Sequence, residues 1–331
     1  MDRALQAVDL AGPEIGWEGT VSVEHREEYH KAWRIPYEDY DYFPPLGLNG
    51  NAERATGVRL SFISDTRMVQ LKVFPSDSEY KLDILCDGHP KAIQTVKAGD
   101  TTVSFVDLPS REKRIEIYLP MQEFRLVALS IEHGARLKAF DDTRPRWIAY
   151  GSSITQCAAA ASPSQTWPAL VARSQDLHLT CLGFGGNCHA EPMVARMIRD
   201  LPADFISSCF GINIYGAASL SPRTFQPALI GFIQIVRERH PSVPIVVCSP
   251  IISPPRETTP NAVGLSLVEM RKQILQVVER LSRHGDGNLY YVDGLKLLGE
   301  EHVSYLPDQV HPNAEGYRIL ARNFEREVFS K

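Results

Sequence analysis

The sequence lacks the features that mark membrane proteins and nucleic-acid-binding proteins. Its 331 residues carry a net charge of -5, and no basic stripe with interleaved aromatic residues is present. No apolar run approaches the roughly 18 residues that a membrane-spanning helix requires. The first residues show no basic segment followed by an apolar one, so no signal peptide is visible. We therefore expect a cytoplasmic protein without membrane or nucleic-acid partners, with secretion as the alternative if a leader has been removed.

Paired cysteine motifs are also missing. None of the six cysteines lies in a Cys-x-x-Cys pair or at metal-binding spacing from a histidine, so we expect no metal site and free, buried thiols. Cys86, Cys209 and Cys248 lie in apolar, strand-like runs, where a thiol behaves as a small hydrophobic group. Cys157 and Cys188 instead fall beside the turns described below, and a cysteine nucleophile is an alternative there.

What is present is the composition of an ordinary globular protein, with 44% apolar and 23% charged residues and enough length for two domains. In the first half of the chain, apolar residues alternate with polar ones in short segments near 58–62, 69–73, 82–86, 103–105, 115–119 and 127–131. Turn residues separate these segments, which is the pattern of an antiparallel β-sandwich. We assign residues 1–142 to this domain.

After a polar joint at residues 141–145 the period changes. Five short apolar runs, at 147–150, 177–182, 204–210, 244–248 and 289–292, alternate with segments of helical spacing. Helices are predicted over about 225–239 and 263–283, and from Asn313, a suitable N-cap, to near Phe329. The alternation predicts an α/β domain over residues 143–331, in which helices cover both faces of a five-stranded parallel sheet.

A serine stands at the end of the first strand of this domain. The apolar run stops at Gly151-Ser152-Ser153, and a segment of small residues suited to open a helix follows. A serine at such a turn is pushed out of the sheet, with the unpaired N–H groups of the following helix behind it. Taken alone, a Gly-Ser-Ser turn is more often simple loop chemistry.

Three further polar segments follow later strands, namely Gly183-Phe-Gly-Gly186-Asn187, Gly211-Ile-Asn213 and Asp308-x-x-His311. Because loops after parallel strands gather at one edge of the sheet, we expect these segments to meet Ser153. Ester cleavage requires a nucleophile, a base, a group that orients the base, and donors for the oxyanion. We assign these roles to Ser153, to His311, to Asp308, and to an oxyanion hole formed by Ser153, Gly186 and Asn213.

The four segments, in this order, resemble the SGNH hydrolases, or GDSL esterase/lipase superfamily, whose blocks carry Ser, Gly, Asn and His. Ser153, Gly186, Asn213 and His311 occupy the matching positions, while Ser152 and Ile214 replace two aspartates that are not triad members. The resemblance implies a flavodoxin-like three-layer domain. It also points to members in which such a domain follows a jelly-roll-like β-sandwich, as in some carbohydrate esterases.

From these residues we expect a serine esterase that needs no cofactor. Its substrate would be a small molecule with an acetyl-type O-acyl ester on a glycosylated, carbohydrate or natural-product scaffold. An acyltransferase or thioesterase with the same triad is the alternative, because another nucleophile can intercept the same acyl-enzyme. A carbohydrate-binding protein on a hydrolase scaffold is a further alternative. Asn187, Tyr215, Cys157 and Trp33 are the residues we expect to line the substrate pocket.

Overall fold

A computed structural model describes residues 4–330 of the chain, which form two compact units. The N-terminal unit comprises the residues up to Asp39, Ala52–Arg144 and Ser162–Ser164. The second unit comprises Tyr40–Asn51, Pro145–Ala161 and the residues from Gln165 onward. The sequence predicts a single domain boundary at residue 142. The observed division differs from it, because the segment Tyr40–Asn51 groups with the second unit.

The described part of the N-terminal unit contains two antiparallel sheets of six strands each. The first sheet has the order β3-β4-β11-β6-β9, with β1 beside β11; its strands are β1 (Leu5–Val8), β3 (Ser22–His25), β4 (His30–Trp33), β6 (Val69–Val73), β9 (Thr102–Phe105) and β11 (Leu126–Glu132). The second sheet has the order β12-β5-β10-β7-β8, with β2 beside β5; its strands are β2 (Gly16–Glu18), β5 (Arg59–Ser64), β7 (Tyr80–Cys86), β8 (His89–Val96), β10 (Lys113–Tyr118) and β12 (Leu137–Lys138).

Alternation along the strands builds the core of this unit. Leu71 pairs with Leu129 and Val69 with Ile131 across β6 and β11, and all four side chains are fully buried. They belong to one apolar cluster with residues of the second sheet, such as Phe62. Each sheet therefore contributes one face to a shared core, which is the sandwich that the period-two pattern predicts.

The second unit contains a parallel sheet of five strands in the order β14-β13-β15-β16-β17. The strands are β13 (Arg146–Gly151), β14 (His178–Gly183), β15 (Phe205–Cys209), β16 (Ile245–Cys248) and β17 (Leu289–Val292). The helices are α1 (Leu46–Asn49), α2 (Ser153–Gln156), α3 (Trp167–Ser174), α4 (Pro192–Asp200), α5 (Ile212–Ala217), α6 (Phe225–Arg237), α7 (Leu267–Arg283), α8 (Gly294–Leu297) and α9 (Ala314–Phe329). This strand order is that of flavodoxin-like folds.

Two aromatic residues of β13 show that helices cover both faces of the sheet. Trp147 and Tyr150 lie three positions apart on the strand, so their side chains point to opposite faces. Trp147 stacks on Phe324 of α9 with ring centroids 5.6 Å apart, and Tyr150 stacks on Phe232 of α6 at 5.1 Å. The three-layer α/β/α arrangement expected from the sequence is therefore present.

The described helices differ little from the expected ones. Helix α7 begins at Leu267, four residues later than predicted, because Asn261 Oδ1 accepts hydrogen bonds from the backbone of Val263 and Leu265 and forms a turn. Between residues 4 and 330, no helix is long and apolar enough to span a membrane.

Candidate active site

Ser153 is the first residue of α2, directly after the end of β13. Ser152 caps the helix, because its Oγ accepts a hydrogen bond from the Ile154 backbone at 3.2 Å. A Cβ added to Gly151 would lie 2.1 Å from Thr155 Oγ1, so only glycine fits at this position. The tight strand-to-helix turn places Ser153 at the carboxyl edge of the sheet, as the sequence predicts.

The three predicted triad residues lie in a hydrogen-bonded row. Ser153 Oγ is 2.7 Å from His311 Nε2, and His311 Nδ1 is 2.6 Å from Asp308 Oδ2. An ionised carboxylate can only accept a hydrogen bond, so His311 Nδ1 carries the proton that it donates to Asp308. His311 Nε2 is then free of a proton and can accept a hydrogen bond from the Ser153 hydroxyl.

The Asp308 carboxylate is held in its ionised form. Its Oδ1 accepts backbone hydrogen bonds from Val310 at 3.0 Å and from His311 at 2.7 Å. Partial burial favours the neutral acid, but the hydrogen bonds from the His311 ring and from these two backbone groups outweigh it and lower the pKa of Asp308 to about 2. Asp308 is therefore charged at any ordinary pH and can stabilise a protonated His311.

The loop that carries Asp308 and His311 is fixed from outside the triad. Ser253 Oγ donates a hydrogen bond to the backbone oxygen of Gln309 at 2.7 Å, and Gln309 has a positive φ of 64°. At the other end of the loop, Asn313 caps α9 by accepting a hydrogen bond from the Gly316 backbone at 2.9 Å. These two contacts restrain the loop on both sides of His311.

The Gly183–Asn187 loop packs closely against α2. A Cβ added to Gly183 would lie 2.3 Å from the Gln156 backbone nitrogen, which excludes any side chain there. The Gly185 backbone donates a hydrogen bond to Gln156 Oε1 at 2.6 Å, and Gly186 has a positive φ of 70°. The loop is thus anchored to the helix that carries Ser153.

Asn187 lies inside this loop and is only 3% exposed. Its Nδ2 donates hydrogen bonds to the backbone oxygens of Gly185 at 2.8 Å and of Leu48 at 2.9 Å, and its Oδ1 accepts one from Asn49 at 3.2 Å. The expectation that Asn187 lines the substrate pocket is corrected, because its buried amide already makes these three hydrogen bonds within the protein.

Asn213 lies at the start of α5, where the chain leaves β15. Gly211 has a φ of 122°, and a Cβ there would lie 2.4 Å from Pro250 Cγ, so the turn before Asn213 requires glycine. The Asn213 amide donates a hydrogen bond to the backbone oxygen of Asn187. The structure therefore joins the second and third motifs, and the assignment of Asn213 to an oxyanion hole stays a prediction.

Neither cysteine near the site has the properties of a nucleophile. Cys157 is fully buried and Cys188 is 1% exposed. Burial raises the pKa of both thiols well above the ordinary value, and each Sγ lies against a backbone oxygen, that of Ile154 at 3.1 Å and that of Cys209 at 3.3 Å. The expectation that Cys157 lines the pocket is likewise corrected, because the side chain has no exposed surface.

The two remaining pocket candidates lie in different units. Tyr215, on α5, is partly exposed, and its hydroxyl donates a hydrogen bond to the backbone oxygen of Thr259 at 3.1 Å. Trp33, at the end of β4 in the N-terminal unit, is 9% exposed, and its Nε1 donates to Glu24 Oε2 at 3.0 Å. The role of both residues in substrate binding stays a prediction.

The sequence-based assignment missed two residues that support the site, Asn51 and Gln156. The His189 ring also contacts the Gly183–Asn187 loop, because it lies 3.1 Å from the Gly186 backbone oxygen and 2.7 Å from Ser219 Oγ. A long polar side chain within a run of small or apolar residues was the available indication for Gln156, since such a group needs a buried partner. Asn51 carried no comparable pattern.

A serine, a histidine and an aspartate, hydrogen-bonded in this order at the carboxyl edge of a parallel sheet, form the arrangement typical of serine-dependent acyl transfer. Residues 145–328, more than half of the chain, match the GDSL-like lipase/acylhydrolase family, and the chain belongs to that family. Residues 15–127 match the family described as "SsfX3, N-terminal domain". The SGNH resemblance drawn from the four motifs is thereby confirmed, and the chain is an enzyme of this hydrolase and acyltransferase family.

Solved structures of similar proteins extend over both units. The salicylyl-acyltransferase SsfX3 from a tetracycline biosynthetic pathway is 35% identical, with a TM-score of 0.92 over 100% of this chain and 98% of its own. A family two carbohydrate esterase from Cellvibrio japonicus is 16% identical, with a TM-score of 0.69 over 99% and 98% of the two chains. An active-site mutant of a family two carbohydrate esterase from Clostridium thermocellum is 14% identical, with a TM-score of 0.70 over 97% and 99%. The last two show a shared fold. A search of the curated proteins gives no match.

Proposed function

We propose that this enzyme transfers an acyl group through a covalent intermediate on Ser153. His311 Nε2 takes the proton of Ser153 as its Oγ bonds to the carbonyl carbon of the donor, and then gives that proton to the departing alcohol or thiol. In the second half, water or an acceptor alcohol gives its proton to His311 and bonds to the acyl carbon. His311 then returns the proton to Ser153 Oγ as the bond between Oγ and the acyl carbon breaks. The observation that carries this proposal is the row from Ser153 Oγ through His311 to Asp308, at 2.7 and 2.6 Å.

The developing oxyanion requires donors beside Ser153. We assign them to the backbone N–H groups of Ser153 and Gly186 and to the Asn213 side chain. One N–H of the Asn213 amide contacts the Asn187 backbone oxygen, and the amide carries a second N–H that can serve the substrate. Such donors act in the transition state, where the charge develops, more than on the neutral substrate.

An alcohol is the acceptor that we favour. The support is the 35% identity with a salicylyl-acyltransferase, which extends over the full length of this chain and is not confined to the catalytic motifs. We therefore propose transfer of a small acyl group to a hydroxyl of a natural-product scaffold, from an oxygen ester or thioester donor.

Hydrolysis of small acetyl-type esters is the second candidate. The side chains of His311 and Asp308 are 40% and 54% exposed, so water can reach the base that would activate it. When no acceptor alcohol is bound, water activated by the exposed His311 would hydrolyse the acyl-enzyme to the free acid.

The test is the partition of the acyl group between water and alcohol. p-Nitrophenyl acetate, butyrate, benzoate and salicylate would be supplied with and without polyhydroxylated aromatic acceptors, and the free acid and new ester quantified. We expect p-nitrophenol release that requires Ser153, and diversion of acyl groups to the new ester as the acceptor concentration rises. Free acid alone at saturating acceptor would favour the esterase, and release that is equal in Ser153→Ala would contradict both candidates.

A further inference from the structure

The segment Tyr40–Asn51 precedes the region that matches the GDSL-like lipase/acylhydrolase family, residues 145–328, by almost a hundred residues, yet it belongs to the second unit. It contains α1, a single turn in which Leu46, Leu48 and Asn49 have φ values of 47°, 57° and 57°. The backbone of Asn49 bonds to the Pro45 oxygen at 2.6 Å, and that of Gly50 bonds to the Leu46 oxygen at 2.8 Å. Left-handed turns of L-residues cost about 1–2 kcal/mol per residue, so such a turn persists only where the surrounding contacts hold it.

The strained turn and Asn51, two residues after its end, contribute two groups that contact the Gly183–Asn187 loop. The Leu48 backbone oxygen accepts a hydrogen bond from Asn187 Nδ2 at 2.9 Å. Asn51 Nδ2 donates to the Gly185 backbone oxygen at 2.8 Å, and the Asn51 side chain is 6% exposed. Because Asn187 Nδ2 also donates to Gly185 at 2.8 Å, one carbonyl oxygen accepts two amide donors.

The peptide that carries this oxygen also carries the N–H of Gly186. The described chain has one cis peptide, Pro44-Pro45, so the 185–186 peptide is trans. In a trans peptide the C=O and N–H point in opposite directions, and fixing one fixes the other. A Cβ placed on Gly185 would lie 3.6 Å from Ser153 Cβ, which puts this peptide directly beside the nucleophile.

We infer that Asn51 is a positioning residue that holds the Gly186 N–H toward the oxyanion. The inference rests on the proposed function, because it needs Gly186 to be an oxyanion donor. Two donors on the Gly185 oxygen also polarise the peptide, which strengthens its N–H as a donor. Loss of an oxyanion donor costs about 10²- to 10³-fold in kcat, and a small misplacement of a catalytic group about 10²-fold. We therefore expect a loss of about 10²-fold in kcat when Asn51 can no longer donate.

The experiment compares Asn51→Asp and Asn51→Ala in the full chain with the wild type. The first variant keeps the side-chain size and replaces the donor by an acceptor, and the second removes the group altogether. The matched control is Asn49→Gly, which preserves the left-handed backbone at φ 57° and removes the contact to Asn187 Oδ1, while both donors to Gly185 remain. The readouts are kcat, KM, thermal midpoint and inhibition by an aryl trifluoromethyl ketone, which forms a tetrahedral oxyanion on the serine.

We expect both Asn51 variants to lose about 10²-fold in kcat with KM nearly unchanged, and to bind the ketone more weakly by a factor that matches the loss in kcat/KM. The control should stay within about threefold of the wild type. Unchanged kcat in a folded Asn51 variant would overturn the inference, as would an equal loss in Asn49→Gly or failure of both Asn51 variants to fold. If Ser153→Ala keeps full activity, the proposed function itself fails; if Ser153→Ala is inactive and Asn51→Asp is fully active, only the inference about Asn51 fails.

Discussion

His311 Nε2 lies 2.7 Å from Ser153 Oγ, although 158 positions separate the two residues in the chain. The parallel sheet accounts for this proximity, because Ser153 follows its second strand in spatial order, β13, and the His311 loop crosses the same carboxyl edge. Asp308 and the contacts from Ser253 and Asn313 hold the His311 ring in its position next to Ser153.

Replacement of Ser153 by alanine should lower kcat by about 10³-fold or more, because the nucleophile of the acyl-enzyme is lost while the oxyanion donors remain. The fold should be unaffected, because α2 is capped by Ser152. Activity on p-nitrophenyl esters and the circular dichroism spectrum measure the two effects. A fluorophosphonate should add its mass to Ser153 in the wild type, and labelling elsewhere in an active Ser153→Ala enzyme would disprove the assignment.

Replacement of Asn213 by alanine should lower kcat by about 10²- to 10³-fold, equivalent to roughly 2.7–4 kcal/mol of transition-state stabilisation. KM should change little, because the amide serves the charged transition state more than the neutral ester. Steady-state kinetics on one ester separates the two parameters. A raised KM at constant kcat would instead make Asn213 a residue that contacts the bound substrate.

The acid limb of the pH–rate profile should arise from His311. The pKa of Asp308 is lowered to about 2, so this carboxylate is charged above that pH and lost as a partner only below it. A general base must be neutral to accept the serine proton, so kcat/KM should rise with pH as His311 loses its proton. Profiles of the wild type, His311→Ala and Asp308→Ala test this.

The two triad variants should differ in severity. His311→Ala should be nearly inactive, whereas Asp308→Ala should keep partial activity, because the aspartate orients and stabilises the imidazole without handling the proton itself. An unchanged acid limb in an active His311→Ala enzyme would identify another group as the base.

The thiols beside the site should be unreactive in the native protein. Burial raises the pKa values of Cys157 and Cys188, so neither forms a thiolate near neutral pH, and neither has appreciable exposed surface. Iodoacetamide should therefore leave activity within about twofold of the untreated enzyme, while denatured protein is alkylated at both sites. Inactivation that follows modification of a single native cysteine would contradict the serine mechanism.

The spacing of apolar residues predicted most of the architecture. Strands of the sandwich bury one face and repeat apolar residues every second position, whereas helices repeat them every three or four positions. The proximity of Ser153 and His311 was predictable for a related reason: parallel strands bring the loops that follow them to one edge of the sheet. The order of the motifs along the chain was therefore sufficient to place the two residues side by side.

The supporting contacts could not be predicted in the same way. Asn51 donates a hydrogen bond to Gly185, which is 134 positions later in the chain. It follows a left-handed turn that no periodicity in the sequence indicates. Asn187 and Cys157 were misassigned to the pocket because sequence proximity to a motif does not determine whether a side chain points outward. Both point inward, Asn187 to three hydrogen-bonding partners in the loop and in α1, and Cys157 to the backbone of α2.

The cap of the last helix offers a test of stability that is separable from catalysis. Asn313 Oδ1 accepts a hydrogen bond from the Gly316 backbone at 2.9 Å and satisfies one of the free N–H groups at the start of α9. Asn313→Ala should reduce the free energy of unfolding by about 1 kcal/mol, within the usual range of about 0.5–2 kcal/mol for a lost N-cap. Asn313→Asp is the matched control, because its carboxylate can cap the same group and should retain most of the stability. Urea unfolding of the three proteins measures the difference, and equal stability of wild type and Asn313→Ala would show that the cap contributes nothing to the fold.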